Sequence, residues 1–309
     1  MDKVLITGAA GYLGSCLIGR LLEEKTEVIG VDSLRYNNFF ALLPYWGHPR
    51  FTFHHLDIRD SKVGDIIQKE KVDTVVHLAA IVGQSACDRA PVLAQQVNAE
   101  ATKWLVQQLG SYQRLIYCNS NSGYGVWDGQ NECTEESPLN PISLYGKTKV
   151  QGEEHVLGHS NAVSLRLATV FGVSLRHRWD LLVNDLTLQL SRGPFRIFQG
   201  DFWRNFVHIR DVIEVIKKMV CNFPATSGIF NVGNPACNMT KMKLAETICD
   251  TLGLSYNRIL PGEGYDPDRR DYKVNNEKIM RLHQFSHSLE DGIRELAAIT
   301  RIDFPKSTN

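Results

Sequence analysis

The chain has 309 residues, 43% of them hydrophobic, with 34 basic and 34 acidic side chains. That length and apolar content support a large core, in one big domain or two modest ones. A formal net charge of zero excludes long-range attraction to nucleic acid or an anionic membrane, so any phosphate must be met by locally placed cations.

Apolar residues 4–6 run into Thr7-Gly8-Ala9-Ala10-Gly11-Tyr12-Leu13-Gly14, and residues 13–22 then take up amphipathic helical spacing. A glycine turn between strand and helix suits a dinucleotide: the glycines permit the tight turn and close backbone approach, and the helix-start N–H groups hold negative charge. Gly8, Gly11, Tyr12, Leu13 and Gly14 are therefore expected at the cofactor. A second strand over residues 27–31 ends in Asp32, about twenty residues after the glycines, where a carboxylate accepts from the adenosine ribose hydroxyls. NAD is expected over NADP, whose 2′-phosphate Asp32 repels; nearby Arg35 is the opposing feature.

Further strands are expected at 51–56, 74–78, 114–118 and 162–167, alternating with helices at 61–70, 91–109 and 142–157. This alternation predicts an α/β fold with a doubly wound, mainly parallel sheet. A cofactor domain over 1–170 is expected, followed by a smaller substrate domain over 171–309 with some segments returning to the first. Beyond Gly172 the pattern loosens into short mixed segments rich in aromatic and basic residues, including Trp179, Phe198, Trp203 and Arg204. Ligands of open α/β sheets bind beyond the carboxyl ends of the strands. Asp57 is placed there to meet the adenine amine, Ile58 to pack on its ring, and Leu78, Ala79, Ala80 and Leu167 to line the same crevice.

The seven cysteines are scattered without a C-x-x-C pair, which predicts reduced thiols. His155 with His159 and His283 with His287 have i, i+4 spacing, yet no convincing further ligands accompany them, so no metal is expected. No apolar run reaches the roughly 18 residues of a membrane span, and the N-terminal segment is broken by Thr7, glycines and Arg20. A cytoplasmic protein without membrane or nucleic-acid partners is expected.

Tyr145-Gly146-Lys147-Thr148-Lys149 contains Tyr-x-x-x-Lys, which on a helix projects both side chains from one face. Lowering a phenol from about 10 to about 7 takes about 4 kcal/mol, and one ammonium about 4 Å away at an effective dielectric of about 20 supplies that. Lys149 is thus expected to activate Tyr145 as a base. Ser120, at a strand end, can donate to and accept from the same substrate oxygen. Asn98 either buttresses the proton-transfer network or is a polar face residue.

With these motifs in place, the whole chain resembles the extended short-chain dehydrogenases/reductases that act on nucleotide sugars. The resemblance implies catalytic roles for Ser120, Tyr145 and Lys149 and ribose binding by Asp32. A finer likeness is to bacterial GDP-heptose C4 dehydrogenases of capsule synthesis. It is carried by Asn119-Ser120-Asn121-Ser122-Gly123-Tyr124-Gly125, Cys133-Thr134-Glu135-Glu136-Ser137-Pro138, Arg166-Leu167-Ala168-Thr169-Val170-Phe171-Gly172 and Asp266-Pro267-Asp268-Arg269-Arg270-Asp271-Tyr272. Where the family's dehydratases carry an Asp-Glu pair this chain has Asn121 and Ser122, neither an acid/base near neutral pH. Elimination and decarboxylation are disfavoured, which leaves hydride removal at a carbinol carbon.

By the same resemblance Arg204 and Arg270 clamp the nucleotide diphosphate, with Arg269 able to substitute for Arg270. Asn184 meets a phosphate, while Asn121, Ser122 and Thr169 face the substrate. Three functions stay open: C4 oxidation of a GDP-heptose-like sugar, 4-epimerisation through a transient keto-sugar, and a non-catalytic dinucleotide sensor. A homodimer through helices 91–109 and 142–157 is implied. Val92, Leu93, Val97, Trp104, Leu105, Val106 and Leu109 spread over more of the first helix than packing on a sheet requires.

Overall fold

The structure, a computed structural model, describes residues 2–126, 129–223, 228–262, 264 and 269–300, so Asp266-Pro267-Asp268 lies outside the described residues. In chain order the elements are β1 (Lys3–Thr7), α1 (Tyr12–Glu23), β2 (Glu27–Asp32), β3 (Phe51–His55), α2 (Lys62–Lys69), β4 (Thr74–His77), α3 (Gln84–Arg89), α4 (Pro91–Gln95), α5 (Ala101–Gln107), β5 (Arg114–Ser120), α6 (Leu144–Val156), β6 (Ala162–Leu167) and β7 (Thr169–Phe171). Then follow α7 (Leu182–Arg192), β8 (Phe195–Ile197), β9 (Trp203–His208), α8 (Ile209–Cys221), β10 (Gly228–Val232), β11 (Asn238–Thr240), α9 (Lys241–Leu252), β12 (Ile259–Pro261), α10 (Glu277–Met280) and α11 (Leu289–Thr300).

Seven strands form one sheet in the order β10-β6-β5-β4-β1-β2-β3, every neighbouring pair parallel. Strands covered on both faces read as continuous apolar runs, and β4 and β6 are buried throughout. One face packs Leu17, Ile18 and Leu21 of α1 against Val212, Val215 and Ile216 of α8. The other packs Ile67 of α2, Leu105 of α5 and Val156 of α6. Both α8 and β10 reach this layer from beyond residue 171. Strand order reverses between β1 and β4, so the ligand crevice lies at their carboxyl ends.

Two expectations from sequence are corrected. Beyond Gly172, among the described residues, α7, α8, α9 and α11 each run 11 to 13 residues, so the region is not made of short mixed segments alone. Apolar residues at helical spacing, such as Val212, Ile213, Val215, Ile216, Met219 and Val220 in α8, turn one face of each helix to the core. A third core joins α7, α9 and α11 around Phe171, Phe206, Leu244 and Ile293. Residues 91–109 are also not one uniform α-helix, because Gln96–Glu100 form a π turn between α4 and α5.

Helix α6 begins at Ser143, whose hydroxyl accepts from Gly146 N–H. It lies unusually close to its neighbours at Gly152, where a Cβ would stand 2.4 Å from the Tyr117 hydroxyl and 2.7 Å from the Asn98 carbonyl. Glu153, the next residue, is buried and pairs with Arg166 of β6 at 2.7 Å, while accepting from Asn119 (2.8 Å) and Ser164 (2.6 Å). Arg166 also donates to the Tyr124 hydroxyl and the Glu135 carbonyl, both at 3.1 Å. Breaking one side of a buried pair strands a charge. Glu153→Leu should lower unfolding free energy by about 3–5 kcal/mol, and adding Arg166→Met should recover much of that loss. Equilibrium denaturation measures both; a double variant no more stable than the single one contradicts this account.

Candidate active site

The glycine turn is packed too tightly for side chains. Gly8 has φ +72°, and a Cβ there would meet Ala79 N at 2.8 Å; one at Gly14 would meet the Gly8 carbonyl at 2.3 Å. Helix α1 has no side-chain cap at Gly11, so its first N–H groups face the crevice uncapped. Beside them, the Asp32 carboxylate accepts from Ala10 N–H (3.0 Å) and Leu34 N–H (2.8 Å) and stays partly exposed. Burial raises its pKa, with Leu34 and Ala10 opposing. An uncapped 12-residue helix, a glycine floor and a carboxylate at the end of β2 fit a dinucleotide. Leu13 lies in the first turn of α1, and Leu78, Ala79, Ala80 and Leu167 lie at strand ends around this crevice, the backbone at 78–79 held by the Thr7 hydroxyl at 3.2 and 3.1 Å.

Ser120 ends β5 and caps the following turn, accepting from Ser122 N–H at 3.2 Å and lying 2.6 Å from the Ser122 hydroxyl. Arg270 donates to that Ser122 hydroxyl, and Ser120 lies near enough to the Tyr145 phenol to favour its ionised form. The three groups thus form a polarised chain that ends on Ser120, beside Tyr145. Asn121 is buried, and neither amide atom has a hydrogen-bond partner among the described residues, which suits a substrate contact. Thr169 is half-buried at the start of β7.

The expected electrostatics are corrected here. Burial pushes Tyr145 up to about 12, opposed by the charges of Arg178 and Arg270 and by nearby Ser120. Burial also pushes Lys149 down to about 7, and its ammonium sits 3.9 Å over the Tyr117 ring. The simple sum of one ammonium on an otherwise ordinary phenol omitted the desolvation of both groups. Tyr145 rests as a phenol, with the Arg178 and Arg270 charges favouring its ionised form.

Other expected residues do different work. Asn98 lies in the π turn, where its side chain is hydrogen-bonded to the Ile81 backbone and the Thr148 hydroxyl; it positions the site without touching Tyr145 or Lys149 through these bonds. Asn184 accepts from Gly172 N–H at 3.1 Å and donates to the Arg178 carbonyl at 2.8 Å, so its fully buried amide ties backbone instead of meeting a phosphate. Arg204 is 2% exposed and donates to the carbonyls of Trp203 and Arg270, holding the loop that carries Arg270. Tyr12 donates to the Gly172 carbonyl at 2.7 Å, joining the turn to the C-terminal part. Arg59 grips both oxygens of Asp57 at 2.9 Å, and Ile58 is buried beside Ile29 and Val31. His283 and His287 turn to the Asp211 carboxylate at 3.4 and 3.1 Å.

Sequence reasoning missed Arg178, which forms paired hydrogen bonds to Asp180 at 2.6 Å. The basic cluster around Trp179 was its visible trace. It also missed Asn38, whose amide donates to the Ala10 carbonyl at 2.7 Å and steadies the turn; an asparagine in a loop carries no such signal.

A family model described as the NAD dependent epimerase/dehydratase family matches residues 4–233. This chain belongs to that family. An uncharacterised UDP-glucose epimerase of Bacillus subtilis (strain 168) is 30% identical over 324 residues, covering 97% of this chain and 98% of its own. A UDP-glucose 4-epimerase of Lactobacillus helveticus is 28% identical, covering 86% and 87% of the two chains. The solved UDP-glucuronic acid 4-epimerase of Bacillus cereus, in complex with UDP-glucuronic acid and NAD, is 25% identical with a TM-score of 0.83, covering 97% and 99%. The enzyme is accordingly an NAD-dependent member of this epimerase/dehydratase group, and the crevice just described has the fold position and residue types to hold NAD.

The Lys149 shift carries a stability consequence. Between about pH 7 and the ordinary lysine value of 10.5, the unfolded chain keeps a proton that the folded chain has released, so stability rises with pH there. Below about 7 both states are protonated and the full cost of burying the ammonium remains. Lys149→Met should therefore raise the melting temperature at pH 6, with the gain shrinking toward pH 10. An equal gain at both pH values, or none, contradicts this assignment.

Proposed function

We propose that the enzyme oxidises C4 of a nucleotide-diphosphate sugar and completes a 4-epimerisation when the keto-sugar turns over in the site. The observation that carries this reading is the Arg270–Ser122–Ser120 hydrogen-bond chain at the carboxyl end of β5, with Tyr145 beside Ser120. Tyr145 acts as base in its phenolate form, reached by release of its own proton to solvent and favoured by the charges of Arg178 and Arg270; the phenolate takes the C4 hydroxyl proton while Ser120 holds the same oxygen. Lys149 orients the nicotinamide ribose. NAD, when bound, supplies the hydride acceptor and donor. Asn121 and Ser122 hold the sugar and provide no acid or base for elimination, which favours epimerisation over dehydration.

The named 4-epimerases among the similar proteins support a UDP-sugar as the first substrate to try. Net oxidation of a GDP-heptose-like sugar for surface polysaccharide is the second reading, supported by the motif likeness around Asn119 to Gly125. Stoichiometric NADH release separates it from epimerisation. In either case Tyr145→Phe should abolish nearly all turnover while leaving NAD affinity within about twofold, since only the proton-accepting oxygen is lost. Substantial turnover in that variant would remove Tyr145 from the mechanism.

A homodimer through the α4–α5 segment and α6 is part of this proposal. Val92 is 68% exposed, and Leu93, Trp104, Val106 and Leu109 are only partly buried on the same helical stretch. Light scattering at micromolar concentration should report a dimer, and a monomer there argues against it.

A further inference from the structure

Behind the cofactor turn, a buried string of polar side chains crosses the parallel sheet layer, and the mechanism above does not use it. The Thr7 hydroxyl, at the end of β1, accepts from Leu78 N–H (3.2 Å) and Ala79 N–H (3.1 Å) and lies 2.7 Å from His77 Nδ1. His77 Nε2 lies 2.9 Å from the Thr102 hydroxyl, which donates to the Asn98 carbonyl at 2.8 Å. Asn98 Nδ2 donates to the Thr148 hydroxyl at 3.0 Å, and Thr148 donates to the Tyr145 carbonyl at 3.1 Å. Thr7, His77, Asn98, Thr102 and Thr148 are all at most 1% exposed.

The directions of these bonds fix one tautomer. Thr7 Oγ1 already accepts two N–H groups, so its single hydrogen must go to His77 Nδ1. Thr102 has committed its hydrogen to the Asn98 carbonyl, so it must accept, and His77 Nε2 carries the proton. With the proton on Nδ1 instead, the Thr7 hydroxyl hydrogen would be left without an acceptor in a buried site, at the full cost of an unmade bond. Protonating it is opposed by burial and by the charge of Lys149.

We propose that His77, as the neutral Nε2–H tautomer, is a positioning residue that links the glycine turn at Thr7 to the catalytic helix α6 through Thr102, Asn98 and Thr148. The link is built where both ends need it. Thr7 holds the backbone of residues 78–79, which line the cofactor crevice, and Thr148 lies between Tyr145 and Lys149 on α6. The π turn at Gln96–Glu100 brings the Asn98 side chain onto the Ile81 backbone, at 2.8 and 3.0 Å, while its carbonyl still reaches Thr102. Occupation of the glycine turn thereby bears on the placement of Tyr145 and Lys149 without any direct contact between the two. The inference rests on the reading of those two side chains as the reacting pair, though its test needs no substrate.

Hydrogen–deuterium exchange over residues 144–152, with and without ADP, tests it, because ADP occupies the glycine turn but has no nicotinamide ribose for Lys149 to meet. In the native enzyme ADP should increase protection of this stretch. Thr102→Val removes the acceptor for His77 and the donor to Asn98 while keeping the side-chain shape. It should bind ADP within about threefold of native yet lose most of the added protection, and Thr102→Ser should restore it. Native-like protection in Thr102→Val, no ADP-dependent protection in the native enzyme, or failure of Thr102→Ser to restore it overturns the link. Should Thr102→Val not fold, nitrogen-15 NMR of the native enzyme at pH 7 decides: His77 should show Nε2 protonated and Nδ1 bare, and the opposite tautomer or an imidazolium overturns the proposal. Absence of nucleotide-sugar turnover, by contrast, would count against the proposed reaction and leave these measurements readable.

Discussion

The buried pair of Glu153 with Arg166 is the constraint on which the site depends. It locks α6 to β6 one helical turn past Lys149, and Arg166 continues to Tyr124 and the Glu135 carbonyl. Tyr124 in turn donates to Asn231 of β10 at 2.7 Å, and Glu135 accepts from Asn231 N–H at 2.8 Å. A carboxylate and a guanidinium taken out of water hold only if every remaining lone pair and proton finds a partner. Here Asn119 and Ser164 supply partners to Glu153. The same satisfaction that makes the pair tolerable also fixes the helix that presents Tyr145.

Around this anchor the site spends stability on chemistry. Lys149 is buried with its ammonium over an aromatic face, which lowers its pKa to about 7, and half-buried Tyr145 has its phenol held protonated by desolvation. Opposing pressures on two neighbouring groups are characteristic of proton-transfer sites. Arg178 and Arg270 bias the phenol from the substrate side, while Arg204 has become a brace beneath Arg270. The arginines that motif matching grouped together thus split into one that reaches the hydroxyl chain and one that holds its loop.

Much of the N-terminal half was legible because its signals are local. Gly8, Gly11 and Gly14 specify a turn that no other residue fits, Asp32 ends a strand whose length is set by its apolar run, and Tyr145 with Lys149 share a helix face by spacing alone. What escaped was set by hydrogen-bond partners that no local spacing pairs with it. Asn184 looks like a phosphate ligand until Gly172 and the Arg178 carbonyl claim its amide. Asn98 sits on a turn that adds a residue to the helical repeat, which no 3.6-residue pattern announces. The helices after Gly172 were hidden because aromatic and basic residues drew attention to ligand covering, although the apolar stripe of α8 was present throughout.

The sheet's edge has a consequence for how the protein is made. Strand β6, buried along its whole length, gains its outer neighbour only when β10 arrives, from residue 228 onward. During synthesis, the site-bearing half therefore emerges with an apolar parallel edge and no partner for it, a template for pairing with other chains. Early termination upstream of residue 228 would leave the glycine turn, Ser120, Tyr145 and Lys149 all synthesised on a sheet that cannot close. The last strand to join carries no reacting group, yet it decides whether the nascent chain stays solitary.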